Sequence, residues 1–387
     1  MVQKYDILIV GCGFVGGVIA YLAAKDGKRV LVLERRSHIA GNMYDETDPD
    51  TGILVQKYGP HSFHTMDDIV YDFVTSVGEW YPFTLTARVY MLGKAVPSPF
   101  NFTAIETFFE PQKAHAIKKR IVDVYRYEPK KTITELLKSD DPLIKEYADF
   151  LFESDYRPYT VKQWGIKPED LDISVLSRVP VRLNYIDRYF DDKYQMMPEG
   201  GFTSFFDRLL EDDLIDVVLN CDALEHLTPD TFTGHILFDG EALDIPVVFT
   251  GPTDELFWHR FGKLPYRSLR FEQKTLDIES FQDAPGVAYP EAKGYTRIME
   301  CTKLPVQDGK GKTIVIYEYP EEYGSEKGKE PYYPVLTAES ADMYKQYATL
   351  AEGIKNLYLC GRLADFKYYN MDQAILRALK VYKTIGF

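Results

Sequence analysis

The stretch from Tyr5 to Asn42, YDILIVGCGFVGGVIAYLAAKDGKRVLVLERRSHIAGN, decides the fold of this chain. An apolar run, Ile7 to Val10, precedes a G-x-G-x-x-G pattern and a helical stretch from Val15 to Lys25. A second apolar run, Arg29 to Leu33, ends immediately before Glu34. The order strand, glycine turn, helix, strand and acid is the one that a dinucleotide-binding βαβ unit requires. The sequence therefore predicts such a unit at its start.

The glycines of this unit have separate functions. Gly11 permits the tight turn, Gly13 lets the backbone approach a pyrophosphate, and Gly16 lets helix and strand pack closely. The free amides and the positive dipole end of the helix then face the phosphates. Glu34 stands 23 positions after Gly11, where it can accept hydrogen bonds from ribose hydroxyls. The predicted cofactor-binding residues of this unit are Gly11, Gly13, Phe14, Val15, Gly16 and Glu34.

Length and composition indicate a globular protein with more than one lobe. The chain has 387 residues, of which 45% are hydrophobic and 27% charged, so a sizeable core and two or three lobes are expected. A net charge of −14 argues against a nucleic acid or an anionic membrane as a partner, because both need a basic face. No apolar run approaches the roughly 20 residues of a membrane span, so no span is predicted.

Cysteines and histidines do not predict a metal site. The four cysteines are scattered without a C-x-x-C pair, which disfavours disulfides and zinc and makes a reducing cytoplasm the expected location. His61 and His64 follow a constrained turn at Gly59-Pro60 and could pair on a metal, but no third ligand stands nearby. Histidines held by backbone hydrogen bonds are the favoured interpretation, and no metal is predicted.

The C-terminal part repeats the order strand, glycine, helix. A short apolar strand, Leu357 to Cys360, precedes Gly361-Arg362, and a helix is predicted from about Met371. This places a second helix N-terminus at a ligand. The first and last segments are therefore predicted to form one FAD-type domain with the middle of the chain inserted.

The middle of the chain changes character twice. Phe83 to Phe100 alternates like a hairpin with its turn at Gly93-Lys94, and Thr103 to Asp155 is typical of several helices. The predicted fold class is α/β: a discontinuous Rossmann-like FAD-binding domain with an inserted helical lobe and an antiparallel β-sheet lobe. The expected boundaries are 1–82, 197–255 and 338–387 for the FAD-binding domain, 99–178 for the helical lobe, and 83–98, 179–196 and 256–337 for the sheet lobe.

Several other positions allow two interpretations. Arg35 and the Gly41-Asn42 pair form either a surface loop, which is favoured on these residues alone, or a second approach to the cofactor. The segment 155–165, DYRPYTVKQWG, is too polar for a core helix and too aromatic for a solvated loop. Its expected function is to stack on a nucleobase, and such stacking contributes about 1–3 kcal/mol per base. Arg178 and Arg297 are either surface residues or two cations that reach one diphosphate from different lobes.

Motifs of other enzyme classes are missing. The sequence has no G-x-S-x-G, no H-E-x-x-H and no G-x-x-x-x-G-K-[ST], which removes support from hydrolase and kinase chemistry. A flavin and a second, nucleotide-like ligand remain as the expected site.

A set of motifs spread over nearly the whole chain resembles one family. These motifs are GCGFVG with VLERR, YGPHSFHT, YTVKQWG, SRVPVRLNY, YTRIME, EPYYPV and GRLADFKYYNMD. Together they resemble the bacterial UDP-galactopyranose mutases, flavin-dependent nucleotide-sugar mutases. The resemblance implies an isomerase that interconverts UDP-galactopyranose and UDP-galactofuranose through a covalent adduct of reduced flavin N5 with the anomeric carbon. It also implies FAD as cofactor, an external reductant such as NAD(P)H, a homodimer, and a supply of galactofuranose for cell-surface glycans.

The resemblance also implies roles for residues at the substrate. Tyr159 would stack on the uracil, and Trp164 would line the sugar pocket. Arg178 would sit on a mobile loop that closes over the diphosphate, with Arg297 opposite. One tyrosine of the Tyr332-Tyr333 pair, with Tyr332 favoured, would donate to a phosphate oxygen. The implied substrate-binding residues are Tyr156, Tyr159, Thr160, Trp164, Arg178, Tyr189, Arg297, Tyr332, Tyr368 and Asn370.

At the flavin, the resemblance implies that His64 lies on a turn beside the isoalloxazine. Arg362 and the helix that begins at Met371 would hold the cofactor. The implied catalytic residues are Arg178, Arg297 and His64. Cofactor-binding residues beyond the first unit are Arg35, Gly41, Asn42, His61, Gly361, Arg362 and Met371.

Two positions depart from the family pattern. Asn370 stands where many members have an aspartate, and Ala87 stands where many have an asparagine. Both changes leave the identity of the sugar open, so a mutase for another nucleotide sugar is one alternative. An FAD-dependent oxidoreductase on a similar scaffold and a non-catalytic nucleotide-sugar or redox sensor are the others.

Overall fold

We analysed a computed structural model of the chain, which describes residues 2–165, 176, 179–324 and 329–387. Its β-strands are β1 Ile7–Val10, β2 Val30–Leu33, β3 Asp45–Thr47, β4 Leu54–Gln56, β5 Phe63–Thr65, β6 Trp80–Pro82, β7 Ala87–Met91, β8 Lys94–Ser98, β9 Lys130–Lys131, β10 Val181–Arg182, β11 Tyr194–Pro198, β12 Ile215–Val218, β13 Leu227–Asp230, β14 His235–Phe238, β15 Glu241–Ala242, β16 Val247–Phe249, β17 Tyr266–Leu276, β18 Gly286–Ala288, β19 Arg297–Glu300, β20 Thr313–Glu322, β21 Tyr333–Pro334 and β22 Leu357–Leu359.

The helices lie between these strands. They are α1 Phe14–Lys25, α2 Asp68–Val77, α3 Phe102–Phe108, α4 Pro111–Tyr125, α5 Ile133–Leu137, α6 Pro142–Leu151, α7 Arg157–Trp164, α8 Gly201–Leu210, α9 Thr253–Leu256, α10 Ala338–Glu352 and α11 Met371–Ile385. A π-helical turn, Phe152–Tyr156, joins α6 to α7. None of the described helices combines the length and the apolar character that crossing a membrane requires.

The first sheet is a five-stranded parallel sheet in the order β12-β2-β1-β16-β22. Its central strand β1 pairs with β2 in the register Ile7 to Val30 and with β16 in the register Leu8 to Val247. β1 and β2 are apolar at every position because both faces of the sheet are covered, with α1 packed between the sheet and α11. Its strands come from the beginning, the middle and the end of the chain, so the Rossmann-like unit is discontinuous, as predicted.

The second large sheet has seven strands in the order β21-β17-β20-β19-β18-β7-β8. Each neighbouring pair is antiparallel except β18 and β7. The predicted hairpin within Phe83 to Phe100 is present as β7 and β8. Its turn is at Leu92-Gly93, one position earlier than predicted, because Met91 pairs with Lys94.

The helical lobe consists of α3 to α7. Its core contains the apolar faces of α4 and α6, with Ile117, Ile121, Ile144 and Leu151 fully or almost fully buried. Capping residues start its helices: Asp141 accepts from two backbone amides of α6, and Thr132 forms a capping box with Glu135. The lobe carries α7 toward the seven-stranded sheet, and α7 contacts β20 there.

Candidate functional site

A cleft lies where β1, β2, β16 and β22 end, at the carboxyl edge of the parallel sheet where ligands of such sheets bind. It encloses about 1210 Å³ of space, including solvent at its mouth. Its walls include the turns after β1 and β2, the loop after β22 and the N-terminus of α11. The predicted cofactor residues that line it are Gly11, Gly13, Phe14, Val15, Gly16, Glu34, Arg35, Gly41, Asn42, Gly361, Arg362 and Met371.

Part of the cleft wall is bare backbone. A Cβ on Gly16 would lie 1.9 Å from the carbonyl oxygen of Gly11, and a Cβ on Gly41 would lie 3.0 Å from Cα of Gly13. Gly11 has φ +96°, a conformation that other residues rarely adopt. The glycines therefore let three segments meet beside the N-terminus of α1, which opens on the cleft as an anion site.

Glu34 is buried in the cleft wall, and backbone amides fix its carboxylate. Its Oε2 accepts from the amide of Cys12 at 2.8 Å, and its Oε1 accepts from the amide of Arg36 at 2.9 Å. Because each carboxylate oxygen can accept more than one hydrogen bond, Glu34 retains acceptor capacity toward a ligand.

An ion cluster around Glu330 fastens another wall of the cleft. Glu330 accepts from Arg35 and, at 3.0 Å, from Nη2 of Arg36. The next two residues, Pro331 and Tyr332, line the cleft. Burial raises the pKa of Glu330, but the two arginines outweigh burial and hold that pKa below its usual value. The cluster therefore stays charged at neutral pH and ties the segment 330–332 to the residues that follow Glu34.

Arg362 connects the cleft with a second group of side chains. Its Nη2 donates to the carbonyl of Tyr369 at 2.7 Å and its Nη1 to the carbonyl of Tyr332 at 3.3 Å. Its Cζ also lies 5.2 Å from the ring centroid of Tyr333 and 5.0 Å from that of Tyr368. These two rings stack with centroids 5.8 Å apart. One guanidinium thus faces both the cleft and a tyrosine pair.

Arg297 is the second cation of this group. Its Nε and Nη2 lie 2.8 and 2.7 Å from Oε2 of Glu318, whose side chain is 1% exposed. Burial lowers the pKa of Arg297, but the charge of Glu318, with smaller contributions from Tyr159 and Tyr333, raises that pKa above its ordinary value. The guanidinium is therefore charged and held in one orientation.

Aromatic residues complete the group. Trp164, at the end of α7, has its ring centroid 6.0 Å from that of Tyr333. Burial raises the pKa of Tyr159 above its usual range, while Arg297 opposes that rise. Tyr189 lies close enough to Tyr159 to contribute to the same shift. The structure thus brings together Tyr159, Trp164, Tyr189, Arg297, Tyr333 and Tyr368, with Arg362 on the side of the cleft.

His61 lies near both arginines. Burial and then the positive charge of Arg362, with a smaller effect of Arg297, lower the pKa of His61 to about 3. Its Nδ1 is buried and has no hydrogen-bond partner within residues 2–165, 176, 179–324 and 329–387. A neutral ring with an unused Nδ1 therefore lies near Arg362 and Arg297.

Comparison with known proteins identifies the family. The family described as UDP-galactopyranose mutase matches residues 155–368, more than half of the chain, and an NAD(P)-binding Rossmann-like domain matches residues 9–77. The UDP-galactopyranose mutase of Mycoplasma genitalium is 35% identical over 98% of this chain and 94% of its own length. The chain belongs to the UDP-galactopyranose mutase family. It is therefore an enzyme, an isomerase of the mutase type.

Two further comparisons bear on this family. The dTDP-fucopyranose mutase of Escherichia coli is 32% identical over 97% of this chain and 96% of its own length. A solved structure of reduced UDP-galactopyranose mutase superposes with a TM-score of 0.72 at 17% identity, covering 98% of this chain and 95% of that one. The second comparison confirms the predicted fold class.

The mutase family and this fold imply a flavin cofactor. Residues of the cleft fit a flavin nucleotide, because the bare wall at Gly13 and Gly41 and the N-termini of α1 and α11 suit a pyrophosphate. The unused Nδ1 of His61 offers a polar contact near Arg362. His61 does not itself line the cleft as the other predicted cofactor residues do.

Tyr332 and Tyr333 lie in different surroundings, one at the cofactor cleft and one in the second group. Tyr332, which we favoured as a phosphate donor, lines the cofactor cleft, and its ring packs against Tyr58 and Phe271. Tyr333 instead lies with Trp164, Tyr368 and Arg362. Because the ring contacts with Trp164 and Tyr368 are made by Tyr333, the geometry favours Tyr333 in the second group.

Three other predicted substrate residues have the following surroundings, and their roles stay predictions. Tyr156 packs in the core of the helical lobe, and its hydroxyl donates to the carbonyl of Val179 at 2.8 Å. Thr160 is buried on α7, and Asn370 lines the cofactor cleft at the start of α11. Arg178 lies outside the described residues, so its predicted roles stay predictions.

His64 is held by contacts with Phe190 and Asp192. It lies on β5, its ring stacks on Phe190 with centroids 3.5 Å apart, and its Nδ1 is 3.1 Å from Asp192. The residues that line the cleft do not include it. Its predicted catalytic role therefore stays a prediction.

Two acids of the site were missed by the sequence analysis. The pairing of Glu318 with Arg297 depends on the register of β19 with β20, which the sequence does not reveal. Glu330 is the first residue of the motif EPYYPV, two positions before Tyr332. An acid inside a family motif was the available signal.

Proposed function

We propose that this mutase uses reduced FAD to interconvert UDP-galactopyranose and UDP-galactofuranose. The observation that carries the proposal is the position of Arg362, which lines the cofactor cleft and contacts the rings of Tyr333 and Tyr368. A nucleotide sugar bound beside Arg297 would therefore adjoin the flavin. The names of the relatives support UDP as the nucleotide, and the dTDP-sugar mutase among them leaves the sugar to be tested.

The chain would bind the substrate through the second group. Tyr159 would stack on the base, and Arg297 would bind the diphosphate, with Tyr333 rather than Tyr332 donating to a phosphate oxygen. Arg178, with Tyr189 and Tyr368, would complete the diphosphate site. A charged guanidinium fixed by Glu318 would stabilise the negative charge that grows on the diphosphate as the glycosidic bond breaks.

The protein would supply position rather than a nucleophile. Reduced FAD supplies, when bound, the nucleophile for the anomeric carbon. The arginines and tyrosines would keep UDP in place after it leaves, so that it can return to either ring form. The buried ring of Trp164 and the half-buried ring of Tyr159 would limit the entry of water, which would otherwise hydrolyse the sugar.

The proposal extends to cofactor and cell. Glu34 would bind the ribose of FAD, the glycine turn its pyrophosphate, and an external reductant such as NAD(P)H would prime the flavin. A homodimer in the cytoplasm that supplies galactofuranose for cell-surface glycans follows from the family resemblance. The FAD-binding, helical and sheet lobes would have the boundaries expected from the sequence.

The decisive assay incubates dithionite-reduced protein anaerobically with UDP-galactofuranose and measures UDP-galactopyranose by chromatography. Arg297→Ala should lower turnover by about 100-fold or more while FAD stays bound, because an interaction made in the transition state is lost. The matched control is Arg270→Ala, since Arg270 is exposed on β17 and pairs with Glu321 away from Arg297. Equal rates for wild type and Arg297→Ala would contradict the proposal.

Two further readouts address the alternatives. An FAD-dependent oxidoreductase would consume one NAD(P)H per product, whereas the mutase needs only catalytic amounts to prime the flavin. A sensor would bind UDP and give no conversion of ring forms. A panel of UDP- and dTDP-sugars in the same assay identifies the sugar.

A further inference from the structure

A buried carboxyl group in the helical lobe is used by none of the interactions described above. Asp155 lies in the π-helical turn Phe152–Tyr156 that joins α6 to α7. Such turns inside helices are frequent at functional sites, because the extra residue redirects a side chain. The residue as a whole is partly exposed, but its Oδ1 is fully buried.

Oδ1 of Asp155 has no hydrogen-bond partner in the described part of the chain. A buried acceptor without a partner costs about 1–3 kcal/mol, so a native protein that keeps one calls for an explanation. A ligand that donates to this oxygen would remove the cost.

The nearest cation does not supply that donor. Lys162 contributes to the electrostatics of Asp155, but its Nζ donates to the carbonyls of Tyr289, Ala292 and Tyr295 at 2.7, 2.7 and 2.9 Å. An ammonium group has three N–H donors, and three carbonyls use them all. Lys162 therefore fixes α7 to the loop 289–295 and leaves Asp155 unpaired.

Asp155 lies beside the predicted base-stacking residue. Asp155 and Tyr159 are four positions apart on continuous helical turns, so they share a face. The charges that act on Tyr159 include Arg297 and, more weakly, Asp155. No described residue among those affecting Asp155 is a cation other than Lys162. Tyr159 thus has the diphosphate-binding arginine and the free carboxyl group as neighbours, which suits a nucleotide lying along its ring.

We propose that Oδ1 of Asp155 accepts a hydrogen bond from the N3–H of a uracil or thymine base and so selects the nucleotide. This inference rests on the proposed function. On the polar edge of both bases, N3–H is the donor between two carbonyls, and an acceptor beside the stacking ring matches it. Cytosine has no proton at N3 in its neutral form. The 5-methyl group lies on another edge, so UDP and dTDP share the recognised chemistry.

The protonation state of the Asp155 carboxyl group also suits hydrogen bonding to such a base. Burial raises the pKa of Asp155 to about 7, although the charge of Lys162 opposes the rise. The titratable groups near this carboxyl are Lys162, Tyr156 and Tyr159. When protonated, the carboxyl can accept from N3–H and also donate to a neighbouring ring carbonyl, which gives two hydrogen bonds to one base.

The test compares UDP with UDP methylated at N3 of the uracil, by titration calorimetry on the FAD-loaded protein. Wild type should bind the methylated ligand about 10-fold or more weakly, because one hydrogen bond to a buried acceptor is lost. Asp155→Leu should bind UDP about 10-fold more weakly than wild type and distinguish the two ligands by less than about threefold. Asp155→Leu keeps the number and branching of side-chain heavy atoms and removes an unpaired buried acceptor, so folding is expected to be retained.

The control variant is Glu153→Ala, an exposed acid in the same turn that pairs with Arg157. It should retain the wild-type discrimination. Asp155→Ala provides a second measurement if Asp155→Leu does not fold. If either folded variant keeps the wild-type discrimination against the methylated ligand, the inference is wrong. If wild type neither binds UDP nor converts ring forms, the proposed function itself fails, and that result is independent of the variants.

Discussion

Arg297 and Glu318 face each other across neighbouring strands, paired directly in the register of β19 with β20. Nε and Nη2 of Arg297 lie 2.8 and 2.7 Å from the same oxygen, Oε2 of Glu318. The side chain of Glu318 is almost wholly buried, whereas the side chain of Arg297 is 29% exposed. A buried anion on the sheet thus holds a partly exposed cation toward Tyr159 and Tyr333.

Removing the Glu318 carboxylate should weaken substrate binding more than flavin binding. In Glu318→Ala, Arg297 loses its fixed orientation, and we expect KM to rise about 10-fold or more. The folded protein should lose about 1.5–3 kcal/mol, because the charged hydrogen bonds between Glu318 and Arg297 are lost. Steady-state kinetics and urea unfolding measure the two effects. Glu322→Ala, exposed at the end of the same strand, should change neither, and an unchanged KM in Glu318→Ala would mean that Arg297 does not need its partner.

The contrast between Glu318 and the glycine turn shows how far the sequence could predict this site. The pattern around Gly11 was sufficient for the cofactor cleft, because strand, turn and helix are local and neither Gly11 nor Gly16 has room for a side chain. Pairing of Arg297 with Glu318 depends on the register of two strands, which only the folded sheet fixes. Choosing between Tyr332 and Tyr333 depends on the direction of one side chain, which the sequence left open.

Substitutions at two glycines of the turn should have different effects, one on the stability of the fold and the other on cofactor binding. A Cβ on Gly16 would lie 1.9 Å from the carbonyl oxygen of Gly11, so Gly16→Ala should destabilise the protein by about 1–3 kcal/mol or more. A Cβ on Gly13 would meet only Cα of Gly41, at 4.0 Å, so Gly13→Ala should fold normally. Because Gly13 lines the cleft, we expect that variant to retain less flavin.

Thermal unfolding of the apoproteins and the flavin absorbance of the purified proteins measure these effects. Gly324→Ala is the control, since a Cβ there would meet open space. Full flavin content in Gly13→Ala would show that the backbone at this position does not approach the pyrophosphate.

The ion cluster of Glu330 should control how long the cofactor stays bound. Glu330→Gln removes the charge that ties the segment 330–332 to Arg35 and Arg36, and we expect the bound flavin to dissociate about 10-fold faster. Fluorescence of the released flavin follows the rate. At high salt, wild type should release its flavin faster and the difference from Glu330→Gln should become smaller, because ions screen a partly exposed ion pair. The control is Glu339→Gln, at an exposed position on the first turn of α10, which should release the flavin at the wild-type rate. If Glu330→Gln also releases it at the wild-type rate, the ion cluster does not retain the cofactor.

The carboxyl group of Asp155 should make stability depend on pH in a particular direction. Its pKa is raised by burial to about 7, above the value of an unfolded aspartate near about 4, so the folded protein holds a proton that the unfolded chain has released. The stabilisation of the folded protein by this proton is complete below about pH 4 and is lost as the pH rises through about 7.

Asp155→Asn carries no such proton, so its melting temperature relative to wild type should increase between about pH 4 and pH 8. The gain should be on the order of 2 kcal/mol, since the residue is only partly enclosed. Glu153→Gln is the control, and a pH-independent difference for Asp155→Asn would show that Asp155 is ionised throughout.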